Sequence, residues 1–202
     1  MSKKKIKGRL EIICGSMFSG KSEELIRRLK RSKIAQQNVV AFKHNLDDRK
    51  NIIEYVLSHD GSKIKAHPIK NPKEIYDKID IETDVIGIDE TQFFSNDIIE
   101  ILLDLVDKGK WVIAAGLDMD YRGVPFGPMP ALLAFADSVE KLNAVCIICG
   151  DKAHFSQRIV DGVPAKFSDM VIQVGAEECY QARCRQCFVI DVNLAKNSFK
   201  TP

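Results

Sequence analysis

Between Leu10 and Ser22 the chain runs from an apolar stretch, Leu10 to Cys14, into Gly15-Ser16-Met17-Phe18-Ser19-Gly20-Lys21-Ser22. The spacing is G-x-x-x-x-G-K-S/T, and in the setting of a strand before and a helix after it this pattern cradles phosphates. Backbone N–H groups must converge on phosphate oxygens, so the loop curls tightly where Gly15 and Gly20 carry no side chain. The helix expected from Lys21 adds its positive N-terminal end. The Lys21 ammonium reaches the outer phosphates, and the Ser22 hydroxyl offers a ligand to magnesium. A second landmark is Asp84-Val85-Ile86-Gly87-Ile88-Asp89-Glu90, an apolar strand with an acidic pair at its carboxyl end, where ligands gather in open α/β sheets. Asp89 fits the Walker B carboxylate that holds magnesium, directly or through water. Transfer of a phosphoryl group to a hydroxyl also needs a carboxylate within hydrogen-bond reach to take the proton, and Glu90 is one residue from the metal position.

Cys146-Ile147-Ile148-Cys149 and Cys184-Arg185-Gln186-Cys187 are two C-x-x-C pairs. Each can set two thiolates on one zinc ion, and the four close a tetrahedral structural site. The separation of Cys149 and Cys184 exceeds the common ribbon spacing, so an extended loop must leave and return. A redox-active pair is the alternative, although neither pair lies at a strand-to-helix junction of thioredoxin type. Cys14 reads as core and Cys179 as a lone thiol near the cysteine pairs, while His44, His59 and His67 receive no role. Phe93, Phe94, Tyr121, Phe126 and Tyr180 fall at strand ends or in the ligand-side loops, where a flat base can stack. Arg49 and Arg158 are phosphate clamps or solvated charges.

These residues need a scaffold. Glu23 to Ser32 sets Leu25, Ile26 and Leu29 on one face of a helix, and Asn38 to Lys43 reads as the next strand, which makes a βαβ unit and implies a parallel sheet. His44 to Lys65 reads as a loop or short hairpin, and Asn71 to Ile79 as a helix with Pro72 in its first turn. Asn96 is expected to cap a helix carrying Ile98, Ile99, Leu102, Leu103 and Val106, ended by Gly109. Trp111 to Ala115 is a buried strand, Gly116 to Gly127 an ordered loop, Leu132 to Ala136 part of a short helix, and Ser138 to Val145 a strand. Met170 to Val174 has β character. The expected organisation is a basic N-terminus at 1–8, an α/β domain at 9–141, a zinc-binding domain at 142–192 and a tail at 193–202.

The 202 residues, 45% hydrophobic and 29% charged, suit one substantial α/β domain with a small appendage. A net charge of +2 gives no electrostatic footprint for nucleic acid or an anionic membrane. The start of the chain lacks the apolar stretch of a signal peptide, and no segment approaches a membrane span, so a cytoplasmic location is expected. In that reducing compartment the six cysteines serve as metal ligands or buried thiols rather than as disulfides.

Taken in order, Gly-Ser-Met-Phe-Ser-Gly-Lys-Ser at 15–22, Gly-Ile-Asp-Glu-Thr-Gln-Phe-Phe at 87–94, Gly-Leu-Asp at 116–118, Pro125-Phe126-Gly127 and the two cysteine pairs resemble the small, zinc-containing cytosolic thymidine kinases, the type II thymidine kinase family. The resemblance runs from Leu10 to Val189. It implies a P-loop NTPase (RecA-like) parallel sheet flanked by helices, with a zinc-ribbon and lasso domain at the C-terminus. It implies ATP-dependent phosphorylation of the 5′-hydroxyl of thymidine, with deoxyuridine as a further acceptor, magnesium as cofactor, structural zinc, a homotetramer and feedback inhibition by thymidine triphosphate. Glu90 is then the general base. The ATP side comprises Gly15, Ser16, Met17, Phe18, Ser19, Gly20, Lys21, Ser22, Asp47, Asp48, Arg49, Asp89 and Gln92, with Ser22 and Asp89 toward magnesium. The nucleoside side comprises Met17, Phe93, Leu117, Tyr121, Arg158, Val171, Ile172, Gln173, Val174, Gly175 and Tyr180. Residues 171–175 and Tyr180 resemble the family's lasso, a loop whose ends are pinned by zinc at Cys146, Cys149, Cys184 and Cys187. Ser16 stands where many members have proline, Thr91 where a smaller residue is common, Tyr121 where phenylalanine is usual, and Cys187 where some use histidine.

The competing reading is a nucleic-acid-stimulated P-loop ATPase, with Asp89-Glu90-Thr91-Gln92 as a helicase-type box and a zinc ribbon gripping a strand. A translocating motor needs a second core that this length cannot hold, and the near-neutral charge supplies no basic stripe. A zinc-ribbon adaptor that binds nucleotide without turnover leaves Glu90 and the aromatic loops unexplained.

Overall fold

The apolar run leading into the phosphate loop forms β1 (Arg9–Gly15), and in the computed structural model it lies between two parallel neighbours. Residues 8–46, 54–58, 61–171 and 179–190 are described. After β1 come β2 (Val39–His44), a hairpin of β3 (Tyr55–Leu57) and β4 (Lys63–Lys65), β5 (His67–Ile69), β6 (Val85–Asp89), β7 (Trp111–Gly116) and β8 (Ser138–Leu142). Six strands make one sheet in the order β5-β2-β6-β7-β1-β8, every pairing parallel. Such a sheet must be covered on both faces. Here α1 (Lys21–Ile34) and the β3–β4 hairpin cover one face, and α2 (Asp97–Asp107) and α3 (Met129–Phe135) cover the other.

Alternation along the strands sorts the core into two layers. Ile13, Ala41, Val85, Ile113 and Ala115 meet Leu25, Ile26 and Leu29 of α1. Leu10, Ile12, Ile86, Ile88, Val112 and Ala114 meet Ile98, Ile101, Leu102 and Leu105 of α2 with Met129 and Leu132 of α3. Arg28 ties α1 to the sheet through Glu11 of β1 at 2.6 Å and Glu140 of β8. Cys14 is fully buried, and burial, with Asp118 beside it, pushes its thiol up to about 11, as suits a core residue. Among the described residues no helix is long and apolar enough to cross a membrane.

Three elements differ from expectation. Asn71 to Ile79 is no α-helix: a 3-10 helix spans Pro72–Ile75, and the amides of Tyr76, Asp77 and Lys78 all reach back three residues, to Lys73, Glu74 and Ile75. Asn71 and Glu74 form a capping box there, but only Ile75 and Ile79 reach the core, too few to hold further turns. Asn96 has helical dihedrals and makes no side-chain cap. Ser138 to Val145 divides at Asn143. Up to Leu142 the strand pairs with β1, whose last paired residue is Gly15, and beyond that point β1 becomes the phosphate loop and offers no further ladder.

From Ala144 the chain builds smaller sheets. β9 (Ala144–Val145) pairs antiparallel with β10 (Lys152–Ala153). β11 (Phe155–Val160) is the centre of a three-stranded antiparallel sheet between β12 (Val163–Pro164) and β13 (Cys179–Arg183). Met170 and Val171 lie outside any strand, and the rest of the expected β run, Ile172 to Val174, lies outside the described residues.

Candidate active site and cysteine cluster

The phosphate loop leaves β1 at Gly15, whose φ of 143° and close approach to the Leu142 carbonyl, 2.3 Å from where a Cβ would stand, exclude a side chain. The loop closes on itself through one acceptor. The Ser16 carbonyl receives hydrogen bonds from Ser19 Oγ and Lys21 Nζ, each at 2.8 Å. Gly20, left-handed, begins α1, and no side chain caps that helix end, where backbone N–H groups attract an anion. The loop is also fastened from outside. Met17 N–H donates to Ser156 Oγ at 2.9 Å, and Ser16 Oγ donates to the Ala153 carbonyl at 3.2 Å.

Asp89 ends β6, two strands from β1 in the sheet, and is buried. Glu90 follows in the left-handed region, with φ 54° and ψ 40°. A residue other than glycine tolerates that conformation only where its surroundings enforce it, and such residues concentrate at functional sites. The enforcement is visible. Glu90 N–H donates to Asp89 Oδ1 at 3.0 Å, and Gln92 Nε2 donates to Glu90 Oε2 at 2.5 Å. The Gln92 carbonyl oxygen in turn accepts the Leu117 N–H at 3.0 Å. Gln92 therefore spans from the carboxylate to the loop after β7, and Gly116 allows it, because a Cβ there would stand 2.7 Å from Gln92 Oε1.

Behind this carboxylate stand aromatic rings. Phe93 meets Phe126 edge-on at 5.7 Å between centroids, and His44 meets Phe94 edge-on at 4.7 Å. Phe94 is core, not a loop aromatic open to a base. His44, given no role from sequence, is buried at the carboxyl end of β2, and Lys43 beside it pairs in register with Asp89. Burial, then the charge of Lys70, lowers the His44 pKa against an opposing pull from Glu90, so the imidazole is neutral at pH 7. The rule that ligands collect at carboxyl strand ends would have marked both residues.

The four paired cysteines converge. Their sulfurs at 146, 149, 184 and 187 lie within 4.8 Å of one another, with Cys149 Sγ and Cys184 Sγ 3.6 Å apart. Tetrahedral zinc with bonds near 2.3 Å sets sulfurs about 3.8 Å apart, so the set is compatible with a structural zinc ion. Burial opposes charge on Cys146, but N–H groups of Cys184, Cys149 and Ile148 outweigh it and lower the thiol. Cys187 is pushed up to about 12, chiefly by the neighbouring sulfur of Cys184. No disulfide forms among the described cysteines.

The family model for thymidine kinase matches residues 8–188. The chain belongs to the thymidine kinase family. It is accordingly a phosphotransferase of P-loop fold that uses ATP to phosphorylate thymidine in nucleotide salvage, and the polymer-stimulated ATPase is not favoured. For a thymidine kinase the remaining side chains divide clearly. Tyr121 is buried, and its hydroxyl lies 3.0 Å from the Lys166 carbonyl and 2.7 Å from that of Asp169, which supplies the partner its extra oxygen requires. Arg158 is buried too, its guanidinium over the Tyr121 ring at 5.3 Å and donating to the Met170 carbonyl at 2.8 Å. Arg158 thus touches the Tyr121 ring and the backbone of Met170. Tyr180 is half-buried on β13 and stands opposite Arg158 in the ladder. Phe18 is exposed with φ 65°, Met17 and Leu117 are half-buried, and Val171 is the last described residue before the gap. Asp47, Asp48, Arg49, Ile172, Gln173, Val174 and Gly175 lie outside the described residues.

Proposed function

We propose that Glu90 is the general base of the thymidine kinase reaction. Its carboxylate takes the proton of the thymidine 5′-hydroxyl as that oxygen bonds to the γ-phosphorus and the bond to the bridging oxygen of ADP breaks. The observation that carries this reading is the left-handed Glu90 held by Gln92 at the carboxyl end of β6. A carboxylate fixed from both its backbone and its oxygen gives up little entropy on reaching the attack geometry. The phosphate loop, Gly15 to Ser22, holds the triphosphate, with Lys21 exchanging the Ser16 carbonyl for phosphate oxygens. Ser22 and Asp89 would hold magnesium, since a hydroxyl and a carboxylate are the hard oxygen donors this ion prefers. Bound there, magnesium neutralises charge on the β- and γ-phosphate oxygens.

Asp47, Asp48 and Arg49 complete the ATP side in this reading. Met17, Phe93, Leu117, Tyr121, Arg158, residues 171–175 and Tyr180 surround the nucleoside, with Arg158 acting from beneath the lasso. Zinc on the four cysteines pins the ends of that loop, and the boundary of the zinc-binding domain falls near residue 142. A cytoplasmic homotetramer, acceptance of deoxyuridine and inhibition by thymidine triphosphate at the nucleoside site complete the proposal. The test is incubation with Mg·ATP and, separately, thymidine, deoxyuridine, other nucleosides, single-stranded DNA and RNA, following ADP and the 5′-monophosphate. Thymidine monophosphate formed one-to-one with ADP is expected. ATP hydrolysis that only a polymer stimulates would overturn the reading.

A further inference from the structure

Two buried aspartates lie in the loop after β7, and the protein uses them differently. Asp120 is saturated by its own turn. It accepts from the Arg122 guanidinium at 2.9 and 2.7 Å and from the N–H groups of Arg122 and Val124 at 2.8 and 3.2 Å. Asp118 has no such turn: its Oδ2 meets Lys141 Nζ at 2.6 Å, and its Oδ1 is buried without a hydrogen-bond partner among the described residues. A carboxylate out of water is costly to keep unless it is paired, so Asp118 depends on an ammonium that arrives from another strand.

To reach it, the Lys141 side chain crosses β1. Lys141, Cys14 and Gly116 stand in one row across β8, β1 and β7, and neighbouring strands lie about 4.8 Å apart. After burial, the charges acting on the Cys14 thiol are those of Asp118, Lys141 and Lys21, as expected for an ammonium lying over the residue that precedes the phosphate loop. Both ends of the ion pair border the chemistry. Lys141 is followed by Leu142, in register with Gly15, where the phosphate loop begins. Asp118 is preceded by Leu117, whose N–H donates to Gln92 Oε1 at 3.0 Å, and Gln92 Nε2 donates to Glu90 Oε2 at 2.5 Å. Asp118 and Gln92 are both buried, and polar contacts shielded from water are stronger than exposed ones.

We propose that the Lys141–Asp118 ion pair sets where the proposed base stands relative to the phosphate loop, Lys141 and Asp118 being positioning residues that act through Leu117 and Gln92. The pair braces the loop after β7 against the end of β8, across the strand that carries the phosphate loop. Gln92 then leans on an N–H of fixed position, and the Glu90 carboxylate keeps its reach to the acceptor hydroxyl. Misplacing a reacting group by about 1 Å lowers the rate by about 10²-fold, so a brace that touches no substrate can govern turnover. The proposal rests on the reading of Glu90 as the base of the thymidine kinase reaction.

The test uses the full chain with zinc bound, assayed for thymidine 5′-phosphorylation with Mg·ATP, while calorimetry measures the affinity for a non-hydrolysable ATP analogue with magnesium. The Lys141 side chain is 51% exposed, so its substitution empties no core cavity. Lys141→Met, which removes the charge, is expected to lower kcat by about 10- to 100-fold and to change the analogue's dissociation constant by less than about twofold. Lys141→Arg, which keeps the charge, is expected to stay closer to wild type than to Lys141→Met. In the double variant with Gln92→Leu, kcat is expected to fall no further than in the lower of the two single variants, because both act along one chain of contacts. Independent effects would multiply instead, and that result overturns the proposal. So do wild-type kcat in Lys141→Met, equal losses in Lys141→Arg and Lys141→Met, and a loss of analogue affinity as large as the loss of kcat. If Lys141→Met does not fold, Asp118→Asn, of the same shape, takes its place with the same outcomes. A wild type that does not phosphorylate thymidine, or Glu90→Gln with undiminished turnover, overturns the reading of the base itself, a result distinct from all of these.

Discussion

The Glu90 carboxylate is gripped by the side chain of Gln92, which is itself held. Gln92 is buried, donates to Glu90 Oε2 and accepts from Leu117 N–H. Replacing it by leucine removes the clamp and leaves the Leu117 N–H without its acceptor, a loss of about 1–3 kcal/mol in stability. Because a misplaced catalytic group can lower turnover by about 10²-fold, Gln92→Leu is expected to reduce kcat by about 10- to 100-fold with a smaller change in the KM for ATP. Steady-state kinetics check this, and an unchanged kcat would free Glu90 from its dependence on the amide. His44 gives a second residue-level outcome. Its folded pKa is lowered by burial and by Lys70, so the folded state resists a proton that the unfolded chain accepts. Its contribution is therefore complete above the unfolded value of about 6.5 and is lost as pH falls below that value. Urea unfolding at pH 7.5, 6.5 and 5.5 should show a shallower loss of stability in His44→Gln than in wild type. Identical slopes would place the acid sensitivity elsewhere.

At the scale of elements, the candidate site residues lie at the carboxyl ends of β1, β6 and β7, and the phosphate loop is fastened from outside by β10 and β11. A long loop held in one shape costs closure entropy, and anchoring its ends at one ion reduces that cost. Cys184→Ser is accordingly expected to lower zinc content and raise the KM for thymidine by about tenfold or more, with the KM for ATP less affected. Metal analysis beside kinetics checks it, and a metal-free variant with wild-type constants would make the cysteines incidental. β1, the phosphate loop, α1 and β6 were legible because each carries a local signature: a fixed glycine and lysine spacing, a helical stripe, an apolar run ending in acids. The 3-10 helix at Pro72–Ile75 was not, since two apolar anchors and a capping proline look alike for one turn or two. Nor was the break at Asn143, which is set by where β1 stops offering a partner rather than by any residue in the strand itself.

Over the whole molecule, the same contrast separates what sequence shows from what only folding makes. The phosphate loop, the Asp89-Glu90 pair and the cysteine pairs are short patterns, and each suggests a chemistry without reference to any contact. The bonds from Ser16 to Ala153 and from Met17 to Ser156 join residues more than 130 positions apart, each between a serine hydroxyl and a backbone group, and no spacing announces them. The same holds for His44, whose place behind Glu90 follows from β2 lying next to β6. The outcome is a member of the thymidine kinase family whose phosphate loop is fastened to β10 and β11, with the proposed base at the end of β6, two strands from β1. The most direct test of that account is Glu90→Gln, assayed for thymidine 5′-phosphorylation with Mg·ATP while ATP binding is measured separately by calorimetry. The account predicts ATP affinity near that of the wild type and a kcat lower by about 10²–10⁴-fold, as for loss of a positioned general base. Wild-type turnover in Glu90→Gln would contradict it.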